Sequence, residues 1–434
     1  MDKEKADPGG SAAGHDLPAN PQARRYVIAW GLALVFYFLE YAARSAPAVM
    51  IPELSHAFGM TAVGVSAIVG TYYYTYSVMN LVAGVALDRT GAKWVVPMGI
   101  FILAAGCFVF AVSNATAAYV GRMLQGAGSA FAFTGAVYLA VHGFSARRLA
   151  TAIGATQCFG MLGGWAGQFV VGPMMQQGTG WQTVWHFLGG ASLLTGVLLF
   201  ALTPSGKRPP PAQTGGVAAS LLRPYKIVFR NPQSYLCGLV AGLLFVPTTI
   251  GDMIWGVAFF QKDLAFGYRA AVSTASMVPL GWVVGCPLVG WMADRIGLRK
   301  PVLIGGSLVM LAALVQLAFL PALIPAQLTC FIFGVASGAA MIPYTIIKEA
   351  NPDEVKGSAT GGINFLTFAV TALVGPIFSR LLGKTFNMEN NLAHFRSGAV
   401  FWIVCVVLAI GLSLLLRETG HAHKAGQSPV PGRK

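Results

Sequence analysis

Four ionisable residues stand inside stretches otherwise built of apolar side chains: Glu40 and Arg44 in "FYFLEYAARSAP", Arg122 in "YVGRMLQGAGSA" and Asp252 in "TTIGDMIWG". Charge is costly away from water, so such groups pair with one another, hold a charged ligand or take up a proton. Glu40 and Arg44 are spaced i,i+4 and share one face of a helix. Two functional arrangements fit. In one, Arg44 and Asp252 close a gate between two parts of the fold. In the other, Arg44 or Arg122 receives a carboxylate, while Glu40 or Asp252 receives an ammonium group or a coupling proton. A fixed Glu40–Arg122 tie between helices is the purely structural use of the same groups.

The elements that carry these residues are membrane helices. Of the 434 residues 55% are hydrophobic and 10% charged, where a soluble domain has about a quarter charged. The mean hydropathy is +0.64. Apolar runs of about 20 residues, the length that crosses about 30 Å of hydrocarbon, recur along the chain. They lie near 27–50, 62–86, 94–113, 116–141, 149–175, 182–203, 233–260, 271–293, 301–320, 324–347, 358–382 and 397–416. The expected fold is all-α and integral to the membrane, with twelve transmembrane helices. At about 1.5 Å per residue, Glu40 lies ~20 Å from the start of its span and Arg122 ~9 Å into its own from the other side. The two therefore share a level.

The formal net charge of +14 suggests nucleic acid until its distribution is read. Of the 29 Lys and Arg, five fall on outer loops (Lys262, Arg269, Arg380, Lys384, Arg396), two inside spans, and the remaining 22 on segments of the opposite side. That asymmetry is the positive-inside signature. It places both termini in the cytoplasm, makes the lipid bilayer the partner and excludes nucleic acid. A bacterial inner membrane is expected, with an intracellular organelle membrane as the alternative. All six cysteines lie in apolar runs without CxxC spacing and read as small buried hydrophobes. Residues 1–25 and 417–434 are polar tails; "HAHK" (421–424) in the second reads as solvated rather than metal-binding. No nucleophile–base set, phosphate loop or metal cluster points to an enzyme, and no cofactor or metal is expected.

A Pro-rich basic linker, 204–232, separates 26–203 from 233–416, six spans from six. "GVALDRTGAKW" follows the second span and "GWMADRIGLRKP" the eighth, with Asp88 and Asp294 offset by 206 residues. "VVGP" ending at Pro173 and "LVGP" ending at Pro376 repeat at an offset of 203. Two unrelated landmarks at nearly one offset indicate a duplicated six-helix bundle, the design in which two halves rock about a central site.

On these motifs the chain resembles the major facilitator superfamily of secondary transporters. The loop signature is matched by Gly84, Asp88, Arg89, Gly91 and Lys93, and again by Gly290, Asp294, Arg295, Gly297, Arg299 and Lys300. The fourth-span signature is matched by Arg122, Gln125, Gly126 and Gly128. The resemblance implies a cytoplasmic gate in which Asp88 caps the helix near Lys356–Gly362 and Asp294 the helix near Ala146–Gly154, a carboxylate at a helix N-terminus being stabilising by ~0.3–2 kcal/mol. "GMLGGWAGQFVVGP" lacks the fifth-span spacing of drug–proton antiporters.

Further candidates for substrate contact or coupling are Tyr73 and Tyr76, which share a face with Asn80 a turn beyond, together with Gln125, Gln157, Gln168, Trp255, Lys348 and Asn364. Within the superfamily the chain is similar to nutrient and siderophore permeases of intracellular bacteria, and distantly to lysosomal dipeptide transporters. That likeness implies proton-coupled uptake of a small polar solute by alternating access, with an amino acid or short peptide favoured. The alternatives are an organic anion, siderophore or other iron chelate, as in a magnetosome-type membrane, and a non-transporting sensor or assembly factor on the same fold.

Overall fold

The structure, a computed structural model, describes residues 21–205, 217–320, 323–383 and 392–420. The tail at 1–20, the linker stretch 206–216, Lys384, His421–Lys424 and the side chain of Asp88 lie outside the described residues. Every described element is helical. The principal helices are α1 Pro21–Ser45, α2 Ala62–Thr90, α3 Ala92–Phe110, α4 Ala115–Gly143, α5 Ala146–Phe169 and α6 Trp181–Leu202, then α7 Pro232–Val246, α8 Met277–Ile296, α9 Lys300–Phe319, α10 Ala326–Ser337, α11 Lys356–Gly383 and α12 Leu392–Leu415. Between the two sets runs a linker helix, Val217–Arg230.

Among the described residues, ten helical segments are long and apolar enough to cross a membrane, and eleven if the bent pair Ile51–Phe58 and Ala62–Leu87 makes one span. The remaining member of the expected twelve is α5, a 24-residue helix diluted by Arg148, Gln157 and Gln168. The chain is a multi-pass membrane protein.

The packing repeats. In the first set α1 packs on α4, α5 and α6, α2 on α4, and α3 on α4 and α6. In the second, α7 packs on α11, α12 and the continuation of α10, α8 on α10, and α9 on α10 and α12. Two pairings cross between the sets, α2 with α11 and α5 with α8, and each is the counterpart of the other.

Local chemistry sets the ends of the helices. Thr61 and Asn114 accept the free backbone N–H groups of Gly64 and Ala117 at 3.2 and 3.1 Å, as N-caps do. The signature glycines Gly91 and Gly297 close α2 and α8 with φ of 72° and 74°, a backbone that a side chain makes costly.

Contacts between the sets stand at both ends of the bundle. At the end bearing Arg89, Lys93, Arg295 and Arg299, Asn364 Nδ2 donates to Asn80 Oδ1 at 3.2 Å. There Tyr225 of the linker helix also donates to the Leu81 carbonyl at 2.9 Å. At the far end Ser66 meets Ser379 at 3.3 Å, Tyr268 donates to the Val49 carbonyl at 2.8 Å, and Arg269 to Gln176 at 2.8 Å.

Candidate functional site

Glu40 and Arg44 face inward from α1 at 0% and 1% exposure. Arg44 Nη2 donates to both carboxylate oxygens of Glu40 at 3.0 Å. Tyr72 of α2 completes the clasp, donating its hydroxyl to Glu40 Oε2 at 2.9 Å and accepting from Arg44 Nε and Nη2 at 3.3 and 3.0 Å. Rings wall the guanidinium: Tyr41 at 4.1 Å, Tyr76 at 4.6 Å and, from α11 of the other set, Phe368 at 5.3 Å. Facing rings attract the cation without giving it a hydrogen-bond acceptor. Arg44 Nη1 is buried and has no acceptor within hydrogen-bond geometry among the described residues.

Arg122 has a different task, and proline chemistry explains it. Pro47 has no N–H, so the Ala43 carbonyl one turn back on α1 receives no helical hydrogen bond. Arg122 Nη1 supplies the missing donor at 3.0 Å. The same side chain bonds Gln125 Oε1 at 2.6 Å and the Val69 carbonyl through Nε and Nη2 at 3.4 Å. Gln125 in turn donates to the Gly106 carbonyl at 3.2 Å. Arg122 and Gln125 thus bracket α4 to α1, α2 and α3.

Asp252 sits elsewhere. It ends a widened π-turn, Pro247–Asp252, below α7, and lines a cavity of about 80 Å³ within the second set of helices. Its Oδ2 accepts from Gln168 Nε2 of α5 at 3.3 Å. Arg44 and Asp252 form no gate pair, and Glu40 and Arg122 no tie. The i,i+4 carboxylate is within reach of Arg44 without any movement of helices, and that nearer partner wins.

The other candidates divide in the same way. Tyr76 joins the ring wall, but Tyr73 reaches across to the Thr249 carbonyl at 3.1 Å. Asn80 and Asn364 extend into a chain with Tyr344, which donates to Asn364 at 2.8 Å. Gln157 accepts from Tyr37 at 3.2 Å, and Trp255 packs near Phe259 and Phe378. Tyr41, Tyr72 and Phe368 are contacts that sequence reasoning missed. Tyr72, Tyr76 and Asn80 run i,i+4,i+8 along one face of α2, a spacing present in the sequence.

The expected capping by Asp294 is not made. It pairs with Arg299 in its own loop at 2.7 Å, and α5 starts without a side-chain cap. Arg299 also reaches Glu349 at 2.9 Å. Partial burial depresses the guanidinium pKa, but the Glu349 and Asp294 carboxylates outweigh it and hold the pKa above its usual value. In the first loop, Lys93 donates to the Phe200 carbonyl at 2.5 Å. Gly84 has a steric reason: a Cβ there would meet the Tyr225 hydroxyl at 3.0 Å, whereas Gly290 faces open space.

Known proteins share this architecture. The solved structure of a bacterial homologue of the human lysosomal transporter Spinster superposes with a TM-score of 0.69 at 14% identity, over 92% of this chain and 98% of that one. The nucleoside transporter NupG superposes with a TM-score of 0.70 at 14% identity, over 90% and 99%. In sequence, the membrane sensor protein UhpC of Salmonella typhimurium is 24% identical over 91% of this chain and 90% of its own length. The D-galactonate transporter of Escherichia coli O6:H1 is 21% identical over 91% and 98%. A D-xylose transporter of Levilactobacillus brevis is 28% identical over 35% of this chain and 32% of its own length. Residues 33–376 match the family model for the Major Facilitator Superfamily. With the doubled helix pairings and both loop signatures in register, the chain belongs to the Major Facilitator Superfamily of secondary transporters.

Proposed function

We propose that the protein takes up a small carboxylate-bearing solute by alternating access, coupled to a proton, across a bacterial inner membrane with both termini cytoplasmic. The observation that carries this reading is Arg44 Nη1, a buried cationic donor without an acceptor among the described residues. An unmade hydrogen bond of a buried charged group is costly, and a solute carboxylate makes it. Glu40, Arg44 and Arg122 together leave the centre one positive charge in excess, which suits a monoanion.

An amino acid or peptide fits this centre less well. Its ammonium group needs an acceptor, and both oxygens of Glu40 already receive bonds from Arg44 and Tyr72. A polyanionic iron chelate exceeds the single unmet donor. The rings of Tyr41, Tyr76 and Phe368 suit the non-polar face of a sugar acid, and the likeness to a D-galactonate transporter points the same way.

Proteoliposomes given D-galactonate, D-galactose and L-alanine under an imposed pH gradient test the reading. Uptake of D-galactonate well above the other two is expected. Equal uptake of D-galactose would remove the carboxylate from recognition. A second reading follows from the likeness to UhpC: binding of D-galactonate without accumulation would make the protein a sensor.

A further inference from the structure

We propose that Asp252, held against Gln168 across the interface between the two helix sets, carries the coupling proton, and that Glu40 does not. This rests on the proton coupling of the reading above but not on its carboxylate-bearing solute.

The two buried acids differ in their partners. Glu40 accepts three hydrogen bonds from Arg44 and Tyr72. Protonating it would strand the Arg44 guanidinium beside a neutral acid and cost it a hydrogen bond from Arg44 or Tyr72. Asp252 has no ion pair among the described residues and one hydrogen bond, from Gln168.

Its position comes from a broken helix. Pro247 denies Leu243 its helical donor, and the chain shifts to i,i+5 bonding: Met253 N donates to Thr248 O at 2.9 Å and Trp255 N to Ile250 O at 3.3 Å. The widened turn, of the kind found at functional sites, sets Asp252 at the edge of the cavity of about 80 Å³. That volume admits water. The neighbouring helices present mostly apolar groups: Val278 from α8, Leu314 from α9 and Trp402 from α12. From α10 come Thr329 and Cys330, and Cys330 is the one other titratable side chain on the described lining. The Thr329 hydroxyl is already bonded to Gln316 and the Pro325 carbonyl.

Gln168 supplies the second observation. It is fully buried, and while its Nε2 serves Asp252 its Oε1 has no partner among the described residues. Once protonated, Asp252 becomes a donor and needs an acceptor. A half-turn of the Gln168 carboxamide brings Oε1 to it, so one side chain serves both protonation states. No bond other than the carboxyl O–H forms or breaks: the proton arrives from water on one side and leaves to the other. A metal cation would need several more oxygen ligands than a carboxylate and one carboxamide provide. Since Gln168 stands on α5 and Asp252 below α7, gain or loss of the proton acts on the contact between the two sets.

The test follows the carboxyl C=O band by infrared titration of the full-length protein in liposomes without solute. Beside the bands of the other carboxyl groups, one component that grows as pH falls is expected in the wild type and in Glu40→Gln, and is lost in Asp252→Asn. Its persistence in Asp252→Asn, its loss in Glu40→Gln, or its absence from the wild type would each overturn the proposal. Gln168→Leu decides the matter if Asp252→Asn misfolds: the band midpoint moves if the pair shares the proton, and an unmoved midpoint refutes it. With D-galactonate as probe, Asp252→Asn should keep solute exchange and lose accumulation driven by the pH gradient. Failure of the wild type to move D-galactonate would strike the carboxylate reading alone, leaving the band titration to decide the proton site.

Discussion

The first and seventh spans hold equivalent places in the two helix sets, and each is broken by a proline with opposite consequences. At Pro47 a side chain repairs the ladder, since Arg122 bonds the carbonyl of Ala43. Around that repair the charges are locked, Glu40 to Arg44 and both to Tyr72. At Pro247 the backbone repairs itself by widening, and the widened turn leaves a cavity with a lone carboxylate at its edge. Duplication thus preserved which helices touch but not which polar groups they bring. One break fixes charge in place, and the other leaves room for it to change.

The largest expected effect comes from unlocking the first. Arg44→Met leaves Glu40 buried without its cation, and losing one partner of such a pair costs about 3–5 kcal/mol. Thermal unfolding in detergent should show it, together with loss of D-galactonate uptake. Adding Glu40→Gln removes the stranded charge and should restore most of the stability but none of the uptake. If the double variant transports normally, the charged centre serves packing only and the contrast with Asp252 disappears.

The scaffold was far more legible in the sequence than the wiring. Hydrophobic length needs no knowledge of neighbours, so the spans could be read directly. The signature offset found Gly91 and Gly297, whose positive φ is a local demand of the turn. Partner choice is not local. Arg44 had candidate partners in Glu40 and Asp252, and only the packed helices reveal that Asp252 opens onto a separate cavity. Asp294 was assigned across the interface by resemblance, but the nearer Arg299 holds it. The bracket at Arg122 had a signal that went unused: Pro47 lies four residues after Ala43, so a carbonyl there had to find a donor from outside the helix.

Contacts inside one set of helices and contacts between the sets should also tolerate change differently. Gly163 and Gly164 are adjacent on α5. A Cβ on Gly163 would run into the backbone carbonyl of Phe38 on α1, which cannot yield. A Cβ on Gly164 would meet the terminal methyl of Met253, across the interface, at 3.1 Å, and that methyl can swing aside. Gly163→Ala should therefore cost about 1–3 kcal/mol as overpacking does, and Gly164→Ala less than about 0.5 kcal/mol. Equal losses in thermal unfolding would mean that the interface is packed as rigidly as the bundles.

Closer to the interface itself, Tyr225 hydrogen-bonds Leu81 and lies against Gly84 and Gly361, one on each set. Tyr225→Phe keeps the wedge and removes the bond, worth about 0.5–1.5 kcal/mol. The open form at that end should rise by about 2–10-fold, read as faster labelling of a cysteine placed at position 361. Unchanged labelling would leave the linker helix as a bystander to gating.

The smallest effect lies where the second loop signature departs from the first. Glu418 accepts the backbone N–H groups of Arg299, Lys300, Thr419 and Gly420 at 2.8 to 2.9 Å. Partial burial pushes its pKa up, but these four donors prevail and hold it below the usual carboxylate value. A depressed folded pKa means that the charged form favours folding. This stabilisation is complete above the unfolded value of about 4.3 and is lost as pH falls through the lower folded value. Glu418→Gln should therefore unfold at a slightly lower temperature than the wild type at neutral pH, with the gap closing in acid. A gap that stays constant with pH would mean that Glu418 acts by shape and not by charge, and that the charges holding the second loop are those of Arg299 with Asp294 and Glu349.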